Sequence, residues 1–200
     1  MKKLTQQKLH QVLEFVYKKV LKEIQNSKPK HKNSHAIIKH HKLKAGFYGF
    51  ITGFGGLFWI PITLPTNITL ILYLQVKMVA SIAYTAGYDL EDEKVKIMVF
   101  ACLTGNNAYE LLKDMGVNIY IKYNISYYVK KHISKKTIKQ IQRKIIFKLL
   151  AKLGEKSFMN ITKIIPVLSG IIGGSNDFLH THLIGDIAKK VFVDKNYKLY

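Results

Sequence analysis

From Ala45 to Val76 the chain runs 32 residues without a charge. A stretch this apolar must be covered by protein or by lipid. It is punctuated by Gly46, Gly49, Gly53, Gly55 and Gly56, then by Pro61 and Pro65. Proline removes a backbone donor and clashes with the preceding turn, so the prolines divide the run into two helices. The first is expected over residues 45–60. The second is expected over 66–86, with Pro65 at its entry and Gly87 as its stop. A bilayer-spanning helix needs about 20 apolar residues. Sixteen residues make about 24 Å of helix, and the second segment meets Lys77. Each is marginal as a span, and the pair fits a re-entrant hairpin or a buried core hairpin. Were the hairpin inserted, its basic flanks would hold both ends on the cytoplasmic side.

Glycine costs a helix about 0.5–1 kcal/mol relative to alanine, so several in one helix need a packing reason. Gly46, Gly49, Gly53 and Gly56 put bare backbone on one face, where another helix can approach closely. Gly170, Gly173 and Gly174, in an apolar stretch opened by Pro166, repeat the pattern. The two glycine-rich helices are therefore expected to pack on each other.

Charge is arranged in blocks. Residues 1–44 hold twelve Lys and two Glu, or +10; residues 45–121 hold four Lys and six acids, or −2; residues 122–163 hold eleven Lys, one Arg and one Glu, or +11. The last block, 164–200, gives +1, for a total of +20. A basic surface implies a polyanionic partner, either nucleic acid or anionic headgroups. Arginine is the preferred fork for phosphates and base edges, and Arg143 is the single arginine. That disfavours nucleic-acid reading and favours an anionic membrane surface, or a membrane protein, as partner. An AT-rich coding sequence would also enrich lysine on solvated faces. The candidate headgroup contacts are Lys18, Lys19, Lys22, Lys42 and Lys44. The start of the chain has no continuous apolar core of a secretory signal, so the protein is expected at the inner face of the membrane. Cys102, the one cysteine, reads as a small buried hydrophobe.

The remaining elements are helical in pattern, giving an all-α, single multi-helix domain around the central glycine-rich hairpin. Residues 1–44 read as a basic N-terminal amphipathic helix and linker, and 45–200 as the helical domain. Leu9, Val12, Leu13, Val16, Val20, Leu21 and Ile24 form an apolar stripe over 4–25. This stripe is expected to pack on the domain rather than lie on lipid. Residues 26–44 read as a basic linker or short helix with His31, His35, His40 and His41 in solvent. Asp89 is the expected cap of a helix starting near residue 91, ended by Gly105. A short helix ending at Gly116 follows. Residues 117–131 read as helix, with a strand as the alternative. Ser134 is the expected cap of a basic helix over 135–153, with Gly154 as its stop. A last helix is expected over about 182–193.

No phosphate-binding glycine loop or nucleophile elbow is present. The one constellation with chemical potential is Asp177 and His180, three residues apart and so on one helical face. Asp186 follows on the next turn, while His182 is expected to point elsewhere. Asp89, Asn107 and Glu110 would complete a site if these motifs converge. An Asp–His pair serves as a general base or a metal ligand. An interhelical hydrogen bond or a cap is the commoner role, so whether the chain is an enzyme stays open. No metal site and no cofactor is expected.

The string AGFYGFITGFGGLFWIPITLPTNITLILYLQVKMVASIAYTAGYDLEDEKV resembles the signature of the bacterial EcsC family. So do CLTGNNAYELLKDMG and PVLSGIIGGSNDFLHTHLIGDIAKKVF. The resemblance covers residues 40–194. It rests on Pro65, Asn67, Gln75, Gly87, Asp89, Gly105 and Asn106 standing in order. Relatives carry an acid after the proline where this chain has Asn67, which weakens an acid–base role there. The resemblance implies an all-α fold and a membrane connection, and no reaction. The expected function is that of a membrane-associated accessory protein, docked on or partly inserted into the cytoplasmic face of a bilayer. The alternatives are a hydrolase-like enzyme using Asp177 and His180, and a nonspecific nucleic-acid binder using the lysine blocks.

Overall fold

A computed structural model describes residues 6–31, 33–54, 66–116, 134–159 and 166–194. Among them are seven α-helices and no strand: α1 (Gln6–Asn26), α2 (Ser34–Phe54), α3 (Thr66–Thr85), α4 (Glu93–Leu103), α5 (Ala108–Asp114), α6 (Lys135–Met159) and α7 (Pro166–Phe192). A 3₁₀ turn, Gly105–Asn107, joins α4 to α5. The all-α reading holds. The expected helix or strand over 117–131, and the positions Gly55, Gly56, Pro61 and Pro65, lie outside the described residues.

The stripe on α1 packs into the core. Leu9, Leu13, Val16, Val20 and Ile24 are buried, and Tyr17 joins them. Each such aliphatic side chain contributes about 1.5–3 kcal/mol on burial. The Tyr17 hydroxyl donates to the Leu90 carbonyl at 2.8 Å, and its ring meets Phe100 edge-on with centroids 5.4 Å apart. From Ile97 onward helix α4 is apolar all round, with Val95 and every residue from Ile97 to Leu103 buried. Cys102 is among them, and burial raises its thiol pKa, so it is an inert core group.

Three glycines end elements as their positions require. Gly87, Gly105 and Gly116 have φ of +87°, +70° and +78°, a region costly for side chains with a Cβ. Ser134 caps α6, its Oγ accepting from the Thr137 amide at 3.1 Å.

Four local readings are corrected. Helix α2 begins at Ser34 and runs through residue 44, because AIIKHHKLK is made of good helix formers and the change in composition there is no break in conformation. Asp92 rather than Asp89 caps α4, accepting from the Lys94 amide at 2.7 Å. Asp89 instead turns the preceding loop by accepting from the Glu91 amide at 2.8 Å. Gly154 does not stop α6, which continues to Met159. Finally, α7 is one helix of 27 residues, with no break before 182.

The most extensive helix pairing is α2 with α7. Ile38 lies against Gly185, and Lys42 stands over the Phe178 ring at 5.0 Å, so the two run antiparallel. Ala45 of α2 clusters with Ile71 and Leu74 of α3, while His40 feels the charge of Lys77, so this pair is antiparallel too. Gln75 of α3 donates to the Thr181 hydroxyl of α7 at 3.3 Å in a buried contact. The C-terminal end of α2 and the N-terminal ends of α3 and α7 therefore meet at one end of the bundle.

Candidate functional site

That end is defined by where charge stops. The last charged residues before it are Lys44 on α2, Lys77 on α3 and Asp177 on α7. Beyond them lie residues 45–54, 66–76 and 166–176, all uncharged. At 1.5 Å per residue the described part of each is about 15–17 Å long. Gly46, Gly49, Gly53, Gly170, Gly173 and Gly174 fall within these helical segments, as does Asn67. The expected pairing of the two glycine-rich helices is thus realised at the level of α2 and α7. A tight contact between the two helices is found at Gly185, which the sequence did not single out. A Cβ there would stand 2.7 Å from Ile38 Cγ1 and 2.9 Å from Cγ2.

Large apolar side chains are exposed where this end begins. Leu43 and Phe47 of α2 are 55% and 61% exposed, and Leu179 of α7 is 62% exposed. Leu43 and Phe47 are four residues apart, one turn on the same face. Exposed lysines border the same helices and their neighbour α1. Lys39 and Lys44 are exposed, and Lys42 covers Phe178. On α1, Lys18, Lys19 and Lys22 are exposed, with Lys19 over the Tyr73 ring at 5.3 Å. Below them Glu23 of α1 takes hydrogen bonds from Tyr73 at 2.6 Å and Lys77 at 2.7 Å. Burial by itself would raise the Glu23 pKa; the hydrogen bonds and the Lys77 and Lys19 charges outweigh it and lower it. Lys77 is raised: burial opposes its charge, but its bonds to Glu23 and Tyr73 prevail.

The histidines of the basic arm do not all face solvent. His41 is buried, and its Nδ1 donates to the Ile37 carbonyl at 2.9 Å. Because a carbonyl only accepts, Nδ1 carries the proton. Burial pulls the His41 pKa down to about 4, against that hydrogen bond and with help from His40, Lys44 and Lys77. His31 and His40 lie with ring centroids 5.4 Å apart, and His40 and His41 likewise at 5.4 Å.

The partners expected around Asp177 and His180 have bonds of their own. Asp186 pairs with His182, Oδ2 to Nε2 at 3.6 Å. Four residues is one helical turn, whereas the six from His180 to Asp186 place them on different faces. Asn107 and Glu110 are engaged by Lys148 of α6, at 3.2 Å and 2.8 Å. Asp89 is held in its own turn, as above. Lys152, one turn further along α6, donates to the Leu103 carbonyl at 3.1 Å and so satisfies the C-terminus of α4. Among the described residues no group of three His, Cys, Asp or Glu is placed to hold a metal ion. Of the family-motif positions, Gly87 and Gly105 terminate elements, Asp89 turns a loop, Asn106 lies in the 3₁₀ turn, and Gln75 ties α3 to α7.

Among the described residues, no helix is long and apolar enough to cross a membrane. The model of the EcsC protein family matches residues 1–193, nearly the whole chain, and the protein belongs to that family. No curated protein and no solved structure matches it.

Proposed function

We propose that this EcsC-family protein docks on the cytoplasmic face of an anionic bilayer, burying the joined ends of α2, α3 and α7 in one leaflet. The observation that carries the reading is that α2, α3 and α7 run uncharged beyond Lys44, Lys77 and Asp177 toward the same end of the bundle. The described part of each makes about 15–17 Å of helix, enough to enter one leaflet of the hydrocarbon core, about 15 Å deep. Exposed Leu43, Phe47 and Leu179 supply apolar area where the segments begin. Lys18, Lys19, Lys22, Lys42 and Lys44 stand at headgroup level, each lysine near an anionic surface being worth about 1 kcal/mol. Partial insertion of this kind needs no spanning helix, and it gives the glycine-rich backbones a surrounding from which water is excluded.

The chain carries its own depth probe. Trp59, the only tryptophan, sits in the sequence between α2 and α3. Its fluorescence is to be followed with phosphatidylglycerol vesicles whose acyl chains carry bromine. The expected result is sedimentation with these vesicles, quenching of Trp59, and far weaker binding to phosphatidylcholine. Phe47→Ser combined with Leu43→Ser weakens binding without unfolding the domain, because both side chains are exposed. A protein that stays in the supernatant with anionic vesicles overturns the proposal. So does one that excess duplex DNA strips from them.

A further inference from the structure

Directly below the uncharged end, the α1–α2 connection folds back on α2. It brings Lys30 and His31 to His40, and His40 lies one turn before Lys44. From the neighbouring helix α3, Lys77 adds its charge to the same place. Lys77 is itself paired with Glu23 of α1, which also takes the Tyr73 hydroxyl. Three lysines and two exposed histidines are thus within electrostatic reach of one another. We propose that Lys30, His31, His40, Lys44 and Lys77 form a site for the phosphate of an anionic lipid headgroup, and that the site tightens on acidification. This rests on the docking reading and deepens it, naming the chemistry the basic collar recognises.

The argument is electrostatic. Like charges confined by the fold repel, and an anion among them relieves that repulsion. Lysine supplies a compact charge with three donors, and a protonated imidazole supplies two more. Partial desolvation, followed by the Lys44, His31, Lys30 and Lys77 charges, lowers the His40 pKa while the site is empty. A bound phosphate adds negative charge beside the ring and favours its protonated form. Binding therefore takes up protons, and by linkage affinity rises as pH falls. His41 does not share in this, since it stays neutral above about 4 with its Nδ1 bonded to Ile37. Tyr73 and Lys19 flank the group from α3 and α1.

The position fits a headgroup. Lys44 is the last charge of α2 before its uncharged end, so phosphate held at Lys44 and His40 lies where the acyl region begins. Phosphate bound here and the apolar ends buried in one leaflet are compatible with a single orientation.

The test separates the site from the docking. Histidine ring resonances of the full chain are followed by NMR against pH, with and without inorganic phosphate and without lipid. The expected result is that phosphate shifts His31 and His40, raises their midpoints and leaves His41 unmoved. Binding to phosphatidylglycerol vesicles is then compared between about pH 8 and about pH 5.5, a range set by the imidazole. The wild type tightens about fivefold for each histidine that becomes charged. In His31→Gln with His40→Gln the affinity changes little between the two pH values, because the tightening is lost. Both rings are exposed, so the variant keeps its core, which a urea midpoint verifies. Ring resonances indifferent to phosphate, or an undiminished pH response in the double variant, overturn the proposal. Phosphate-sensitive rings in a protein that ignores vesicles would uphold the site and sink the docking. Vesicle binding with insensitive rings would do the reverse.

Discussion

Adding one methyl group at Gly185 tests the packing on which the α2–α7 pairing depends. In Gly185→Ala the new Cβ stands 2.7 Å from Ile38 Cγ1, 2.9 Å from Cγ2 and 3.2 Å from Cδ1. Carbon atoms prefer about 3.5–4.0 Å. Ile38 cannot swing aside, because a β-branched side chain in a helix has essentially one χ1 rotamer. Overpacking of this kind costs about 1–3 kcal/mol. Against it stands the helix preference for alanine over glycine, about 1 kcal/mol. Both terms apply, and the steric one wins because two of the three contacts are to atoms attached directly to the Ile38 Cβ. The variant is therefore expected to lose up to about 2 kcal/mol in urea unfolding. Ile38→Ala removes all three contacting atoms and costs about 2–4 kcal/mol as a large-to-small core change. In the double variant the alanine methyl occupies part of the space vacated, so the losses fall short of their sum by about 1–2 kcal/mol. A Gly185→Ala protein with an unchanged or higher urea midpoint refutes the reasoning. Strictly additive losses refute it as well.

Three further outcomes follow from buried and charged groups. His41 has a folded-state pKa of about 4, below its ordinary 6.5, so the unfolded chain takes up a proton first. Stability is then fully present above about 6.5 and lost as pH falls to about 4, worth about 3 kcal/mol, and His41→Gln removes that increment from a urea–pH series. Thr181→Val strands the buried Gln75 amide and costs about 1–3 kcal/mol, while the Gln75→Leu/Thr181→Val pair recovers most of it in the same assay. Thermal unfolding without lipid should shift upward as salt rises to physiological strength, since a net +20 repels itself more than its ion pairs gain; a downward shift would mean that the ion pairs dominate.

What the sequence made legible was what its residues decide locally. The stripe on α1 repeats at helical spacing, and Gly87, Gly105 and Gly116 stand where a left-handed residue is required. Continuity was harder to see. The change from lysine-rich to uncharged at residues 44 and 45 looks like a boundary, yet the backbone carries one helix through it. Gly154 lies inside a helix for the converse reason: a glycine stops a helix only where the chain must turn. Asp89 and Asp92 are equally competent caps by type, and only three-dimensional placement separates the turn from the cap. The tight glycine contact was invisible because nothing around Gly185 in sequence announces Ile38. The same holds for Lys148, which takes Asn107 and Glu110 from across an interface that no local pattern encodes.

The scarcity of acid explains how so basic a chain divides its charge. Four carboxylates tie helix to helix: Glu14 to Lys96, Glu23 to Lys77, Glu110 to Lys148 and Asp114 to Lys144. All four pairs are partly solvated, so each contributes at most about 1 kcal/mol, and the buried stripes hold the fold. Their effect is selective instead. They neutralise the lysines that face other helices and leave those facing outward, among them Lys18, Lys22, Lys39 and Lys44, without a partnering acid in these ties. Lysines so placed cost the compact state through mutual repulsion. Apolar side chains exposed where the uncharged ends of α2 and α7 begin, Leu43, Phe47 and Leu179, cost it differently, through surface held toward water. Protein cover alone would relieve the second cost and not the first, and a polyanion in solution the first and not the second. A surface with anionic headgroups over hydrocarbon would relieve both at once where Lys44, and Lys19 over the Tyr73 ring, border the uncharged segments.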